Sequence, residues 1–180
     1  MILRSLVTLF SIGVLCGCAP EIPNKVGADE YALYSDWTVA KFAKKPPEHL
    51  YFSSRTGAFD PLDALQGSCQ AALEKDGVSW SLMKQLHALG AAQYPLDFGS
   101  AANLQIPWSY KEVDSPPDLP PGSFHLITFS RVAFNRDHTE ALFAFFDACA
   151  FDLCGRGGYV QGIKQIGKWN FHPGSCAMFA

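Results

Sequence analysis

The rhythm of apolar and polar positions changes three times along the chain. From Met1 to Cys18 there is one charge, Arg4, followed by a dense apolar run of Leu6, Val7, Leu9, Phe10, Ile12, Val14 and Leu15. That run is too short to cross a bilayer and has the length of a secretory leader's apolar region. Residues 1–17 therefore read as a signal peptide. Residues 18–27 hold two prolines and no periodicity, and read as a tether. A single globular domain is expected over 28–180.

The domain opens with helical spacing. Tyr31, Tyr34 and Phe42, with Trp37 or Thr38 between them, recur on one side of a helix expected over Asp29–Ala43, and Lys44-Lys45-Pro46-Pro47 stops it. An aromatic stripe of this kind is core material. His49–Ser54 is a short strand. Asp60-Pro61 has the cap and first-turn residues of a second helix. Leu62, Leu65, Cys69 and Leu73 line its apolar face and Gly77 ends it. Ser79 caps a third helix carrying Trp80, Met83, Leu86 and Leu89, closed by Gly90 and Pro95. The stretch 93–122 contains Pro107, Pro116, Pro117, Pro120 and Pro121 and reads as a long irregular connector.

The last third follows a strand rhythm. Phe124–Phe134 is β-branched and aromatic, and Asn135-Arg136-Asp137 is a turn. Glu140–Cys149 is apolar on both faces, so it belongs in the middle of a sheet covered on both sides. Gly155–Gly158 reads as a turn, Tyr159–Ile166 as a strand, Gly167-Lys168 as a tight turn and Trp169–Phe171 as a last strand. The fold class expected is α+β, with N-terminal helices packed on a C-terminal antiparallel β-meander.

Composition narrows the classes of function. At 180 residues and 48% hydrophobic, the chain can bury one sizeable core. Its 17% charged residues and 14 Phe exclude intrinsic disorder. A formal charge of −3 gives no electrostatic basis for binding nucleic acid. No segment after residue 18 is apolar enough to span a membrane.

The apolar run ends in Leu15-Cys16-Gly17-Cys18. This resembles the lipobox of bacterial lipoproteins, with Gly17 before the modified cysteine and Leu15 three before it, while Cys16 departs from the usual residue. The resemblance implies that Cys18 is lipidated, with a palmitate-type acyl chain supplying membrane affinity that the domain lacks. Ala19, where an Asp would act as a sorting signal, implies the periplasmic side of the outer membrane if the envelope is Gram-negative.

With Cys16 removed and Cys18 lipidated, Cys69, Cys149, Cys154 and Cys176 remain. An even number in an oxidising compartment predicts disulfides. Of three pairings, Cys149–Cys154 closes a short loop and Cys69–Cys176 ties a helix to the C-terminal tail. Cys149, Cys154, His172 and Cys176 have a spacing that could hold zinc, but the spacer is long for a zinc finger and the compartment oxidises thiols. No metal or other cofactor is expected.

Chemistry-bearing residues are few. Arg131, amid apolar neighbours on a strand, suits either a carboxylate or phosphate ligand or an internal ion pair. Asp147 and Asp152 suit acid–base work only if a cleft brings them together. Gly155-Arg156-Gly157-Gly158 lacks the Lys and Ser/Thr of a phosphate loop. Ser130–Asn135, Ala141, Leu153-Cys154-Gly155 with Gly158, and Gly167-Lys168-Trp169 resemble a module recurring in bacterial exported proteins of no assigned activity. That resemblance implies a hairpin, a glycine turn and a terminal strand, and nothing catalytic. The function expected is therefore a non-enzymatic cell-envelope lipoprotein that binds a protein or a cell-wall component. The alternative is a small hydrolase or ligand-binding protein with a pocket between helices and sheet, where Arg131, His125 and Asp147 are the first suspects.

Overall fold

The computed structural model describes residues 25–62, 69–99, 104–118, 124–148 and 155–179. Helix α1 (Ala28–Phe42) begins at Gly27, whose amide donates to the Glu30 carboxylate at 3.1 Å. Acidic Asp29 and Glu30 sit in its first turn and Lys41 in its last, as the helix dipole favours. Its stripe of Tyr31, Tyr34, Trp37 and Phe42 is buried. Strand β1 (Leu50–Ser53) follows.

Asp60 closes a turn, accepting from the Leu62 amide at 2.8 Å. The helix expected after it appears among the described residues as α2 (Cys69–Lys75). Helix α3 (Trp80–Gly90) is capped by the Ser79 hydroxyl, which accepts from the Leu82 amide. It ends against the Phe59 backbone, whose carbonyl oxygen lies 2.6 Å from where a Cβ on Gly90 would stand. Only a glycine permits that approach.

The sheet strands are β2 (Tyr110–Val113), β3 (His125–Phe129), β4 (Ala133–Phe134), β5 (Glu140–Ala148), β6 (Arg156–Gln165) and β7 (Lys168–Phe179), with β1 among them. The order is β2-β1-β3-β5-β6-β7, and β4 pairs with β5. The class is α+β. The sheet is mixed, which corrects the expected all-antiparallel meander: β3, β5, β6 and β7 are antiparallel, but β1 runs parallel to both β2 and β3. The turn-linked strands are those whose pairing local sequence dictates. The parallel trio is joined through helices and long connections, which leave no hairpin signal.

The structure differs from the expected elements in four further places. β2 lies inside the stretch expected to be irregular. Its Tyr-Lys-Glu-Val carries two charges, and its register comes from β1. The single strand expected over Phe124–Phe134 breaks at Ser130–Val132. There the Ser130 hydroxyl accepts from the Ala144 amide at 2.8 Å, and Arg131 turns away to Glu30. Gly157 and Gly158 lie in the β5–β6 ladder rather than in a turn, and a Cβ on Gly158 would stand 3.0 Å from the Cys176 carbonyl. β7 runs past Phe171 to Phe179.

The two faces of the sheet are covered by different helices. Along β5, Ala141 and Phe143 join the cluster under α1, while Leu142 and Ala144 join the cluster under α2 and α3. All four are fully buried, as the doubly apolar pattern of that strand requires. On the α1 side, Tyr34 stacks on Phe129 at 4.3 Å, and Trp37 meets Phe129, Phe143 and Phe145. These rings fill the space between helix and sheet.

On the other side β7 grips α2. The register steps from Gly158↔Ala177 to Val160↔Pro173, so Gly174, Ser175 and Cys176 bulge from the ladder toward α2. A Cβ on Gly174 would meet Leu73 at 3.0 Å and the Tyr159 carbonyl at 3.1 Å. Ser175 donates to Asp76 through its amide and its hydroxyl, both at 2.6 Å. Cys176 and Cys69 form a disulfide, with Cα atoms 5.2 Å apart.

Candidate functional site

At the C-terminal end of α1, three charged or titratable side chains converge on the sheet. His125 and Asp147 belong to the antiparallel pair β3–β5, in which Ile127 faces Asp147. Both point to the α1 side, because they share the alternation of Ile127 and Phe145. Lys41 comes down from the last turn of α1. Its ammonium lies 2.9 Å from Asp147 Oδ2, and His125 Nδ1 lies 3.0 and 3.1 Å from the two Asp147 oxygens.

The surroundings keep the Asp147 carboxylate close to its partners. The Asp147 side chain is 10% exposed, against 23% for Lys41 and 39% for His125. A carboxylate so far from water needs a counter-charge, and Lys41 supplies it. The ammonium also sits 4.8–5.5 Å from the ring centroids of Phe145, Trp37 and Phe42. Phe42 meets the His125 ring edge-on at 4.8 Å.

The chemical consequence falls on His125. An ionised carboxylate only accepts, so the contact assigns a proton to Nδ1, and in the ring's neutral form that tautomer leaves the lone pair on Nε2. Asp147 thus fixes the tautomer and the ring plane. Among the described residues no hydroxyl or thiol hydrogen-bonds to Nε2, so the arrangement is an oriented base without an assembled nucleophile.

Arg131 is placed elsewhere. It is 4% exposed, and its Nε donates to both Glu30 oxygens at 3.1 and 2.9 Å. Its Nη2 donates to Glu30 at 2.9 Å and to the Lys25 carbonyl at 3.1 Å. The guanidinium also lies over the Tyr94 ring at 4.5 Å. Burial by itself would lower its pKa. The hydrogen bonds and negative charge of Glu30 outweigh that and hold it above its ordinary value. Tyr34, fully buried beside the same pair, is pushed well up by burial and then by the Glu30 charge. Arg131 is thus the internal ion pair of its two readings, locking the start of α1 to the β3–β4 break.

His125 and Asp147 are therefore brought together, and Arg131 is not part of their group. Cys18, Cys149, Cys154 and Asp152 lie outside the described residues. His172 is on β7 at some remove from the Lys41 group, and no cluster of three or more His, Cys, Asp or Glu among the described residues is arranged to hold a metal. Sequence reasoning missed Glu30 and Lys41. Glu30 stands three residues after Gly27, the position of a capping-box acid, which is the signal that could have singled it out.

The chain matches no known family model, no curated protein and no solved structure.

Proposed function

We propose that the chain is a lipid-anchored domain of the cell envelope, non-enzymatic, that binds a protein or a cell-wall component. The observation that carries this reading is the apolar leader ending in Leu15-Cys16-Gly17-Cys18. Two features support it. The aromatic rings between α1 and the sheet fill the place where an interior pocket would lie. The Cys69–Cys176 disulfide suits an oxidising compartment. No helix among the described residues is long and apolar enough to cross a membrane. In this reading the acyl chains on Cys18 supply the attachment. In a Gram-negative envelope, Ala19 assigns the chain to the periplasmic face of the outer membrane.

Fractionation tests the anchor. The wild-type chain pellets with membranes, and Cys18→Ser moves it to the soluble fraction. A Cys18→Ser chain that still pellets overturns the reading.

A small hydrolase is the second reading, and one observation favours it: the 3.0 Å contact between His125 Nδ1 and Asp147 that leaves Nε2 available as a base. The check is turnover of a panel of nitrophenyl esters by wild type and His125→Gln. Turnover that is lost with His125 supports this reading, and no turnover by wild type dismisses it.

A further inference from the structure

Strands β1, β2 and β3 run parallel, so their carboxyl ends, Ser53, Val113 and Phe129, come to the same end of the sheet. Chains leaving parallel neighbours diverge there and leave a crevice, the usual ligand position in open sheets with parallel strands. This sheet has such a crevice, with a volume of about 430 Å³, lined by Ser53–Gly57 after β1, Asp114 after β2, Thr128 of β3, and Gln93.

The walls are pinned by hydrogen bonds. The Thr56 amide donates to the Tyr94 carbonyl, and the Tyr94 amide donates back to the Thr56 hydroxyl, both at 2.9 Å. The Gly57 amide donates to Phe129 and the Leu96 amide to Ser54, both at 2.7 Å. The Ser54 hydroxyl donates to Asp114 Oδ1. A site built this way loses little freedom on taking up a ligand.

Arg55 and Asp114, of opposite charge, both line this crevice without pairing. Arg55 makes no ion pair with any described residue, although Asp114 lines the same walls. Asp114 is held by Ser54 through one oxygen. The guanidinium offers a planar fork to a carboxylate, and the aspartate offers an acceptor to an ammonium. Thr128 and Gln93 also line the crevice and bring a hydroxyl and an amide to it.

We propose that this crevice binds an α-amino carboxylate, with the ligand's carboxylate on Arg55 and its ammonium on Asp114. The site does not depend on the lipid anchor or on His125. The test is titration of the isotope-labelled full-length chain, in detergent micelles, with alanine. Backbone amide resonances of residues 53–57 and of Thr128 report binding. Alanine shifts them. N-acetylalanine and alaninamide, each keeping one of the two charges, bind about tenfold more weakly or worse, the size expected for losing a charge-assisted hydrogen bond. Arg55→Gln and Asp114→Asn each weaken alanine by a similar factor and leave resonances of the α1 side unchanged. The proposal is overturned if alanine moves no crevice resonance up to its solubility, or if all three compounds bind equally.

Discussion

Glu30 joins three parts of the chain. Its carboxylate accepts from the Gly27 amide at the start of α1, from the Arg131 guanidinium, and from the Val132 amide at 2.9 Å. Both Glu30 and Arg131 are almost fully buried, so removing one leaves the other's charge unpaired in the interior. Glu30→Ala is expected to cost about 3–5 kcal/mol in chemical denaturation. A loss below about 1 kcal/mol would contradict the assignment. Asp76 is a surface counterpart. Hydrogen bonds from the Ser175 hydroxyl and amide hold its carboxyl below the ordinary 3.8. A carboxyl lowered on folding stabilises the fold above its unfolded pKa, and that contribution is lost as pH falls through the folded value. Titration of the Asp76 carboxyl by NMR should give a midpoint below 3.8 in wild type and a higher one in Ser175→Ala. Equal midpoints would mean that the Ser175 hydroxyl does not hold Asp76 in solution.

At the scale of elements, the β6–β7 hairpin carries its own strain. Gln165 pairs with Lys168, so Ile166 and Gly167 form a two-residue turn, and both have positive φ, 50° and 78°. Two left-handed residues in succession make the turn whose twist suits a hairpin, and Asn-Gly is its preferred pair. A β-branched residue is strained there, and Ile166 is also fully exposed. Ile166→Asn is expected to stabilise the chain by about 1 kcal/mol, read as a rise in thermal midpoint. A fall would contradict the turn. The turn of this hairpin was legible in the sequence to within a residue because its signal is local, whereas the reach of β7 was not. The doubly apolar pattern of β5 was legible for the same reason. β2, the break at Ser130 and the bulge of β7 were not, because each is set by a partner distant in sequence: β1, Glu30 and α2 respectively. The candidate site divides the same way. His125 and Asp147 lie on strands whose faces can be read, whereas Lys41 reaches them only through the docking angle of α1, which no local pattern encodes.

For the whole molecule, one sheet is covered by α1 on one face and by α2 and α3 on the other. The parts of the second face are tied together by a disulfide that closes a loop with a sequence separation of 107. Closing so long a loop restricts the unfolded chain and contributes roughly 4–5 kcal/mol in the chain-entropy account. Such a bridge and the proposed acyl anchor at Cys18 belong to the same side of a membrane, the oxidising one. The measurement that tests this most directly is the intact mass of the protein extracted from its native membrane, with thiols alkylated before any reduction. The account predicts a chain that begins at Cys18, carries acyl chains there, and takes no alkylation at Cys69 or Cys176. A chain that retains Met1 or has an unmodified Cys18, with Cys69 and Cys176 alkylated, would contradict both the anchor and the compartment.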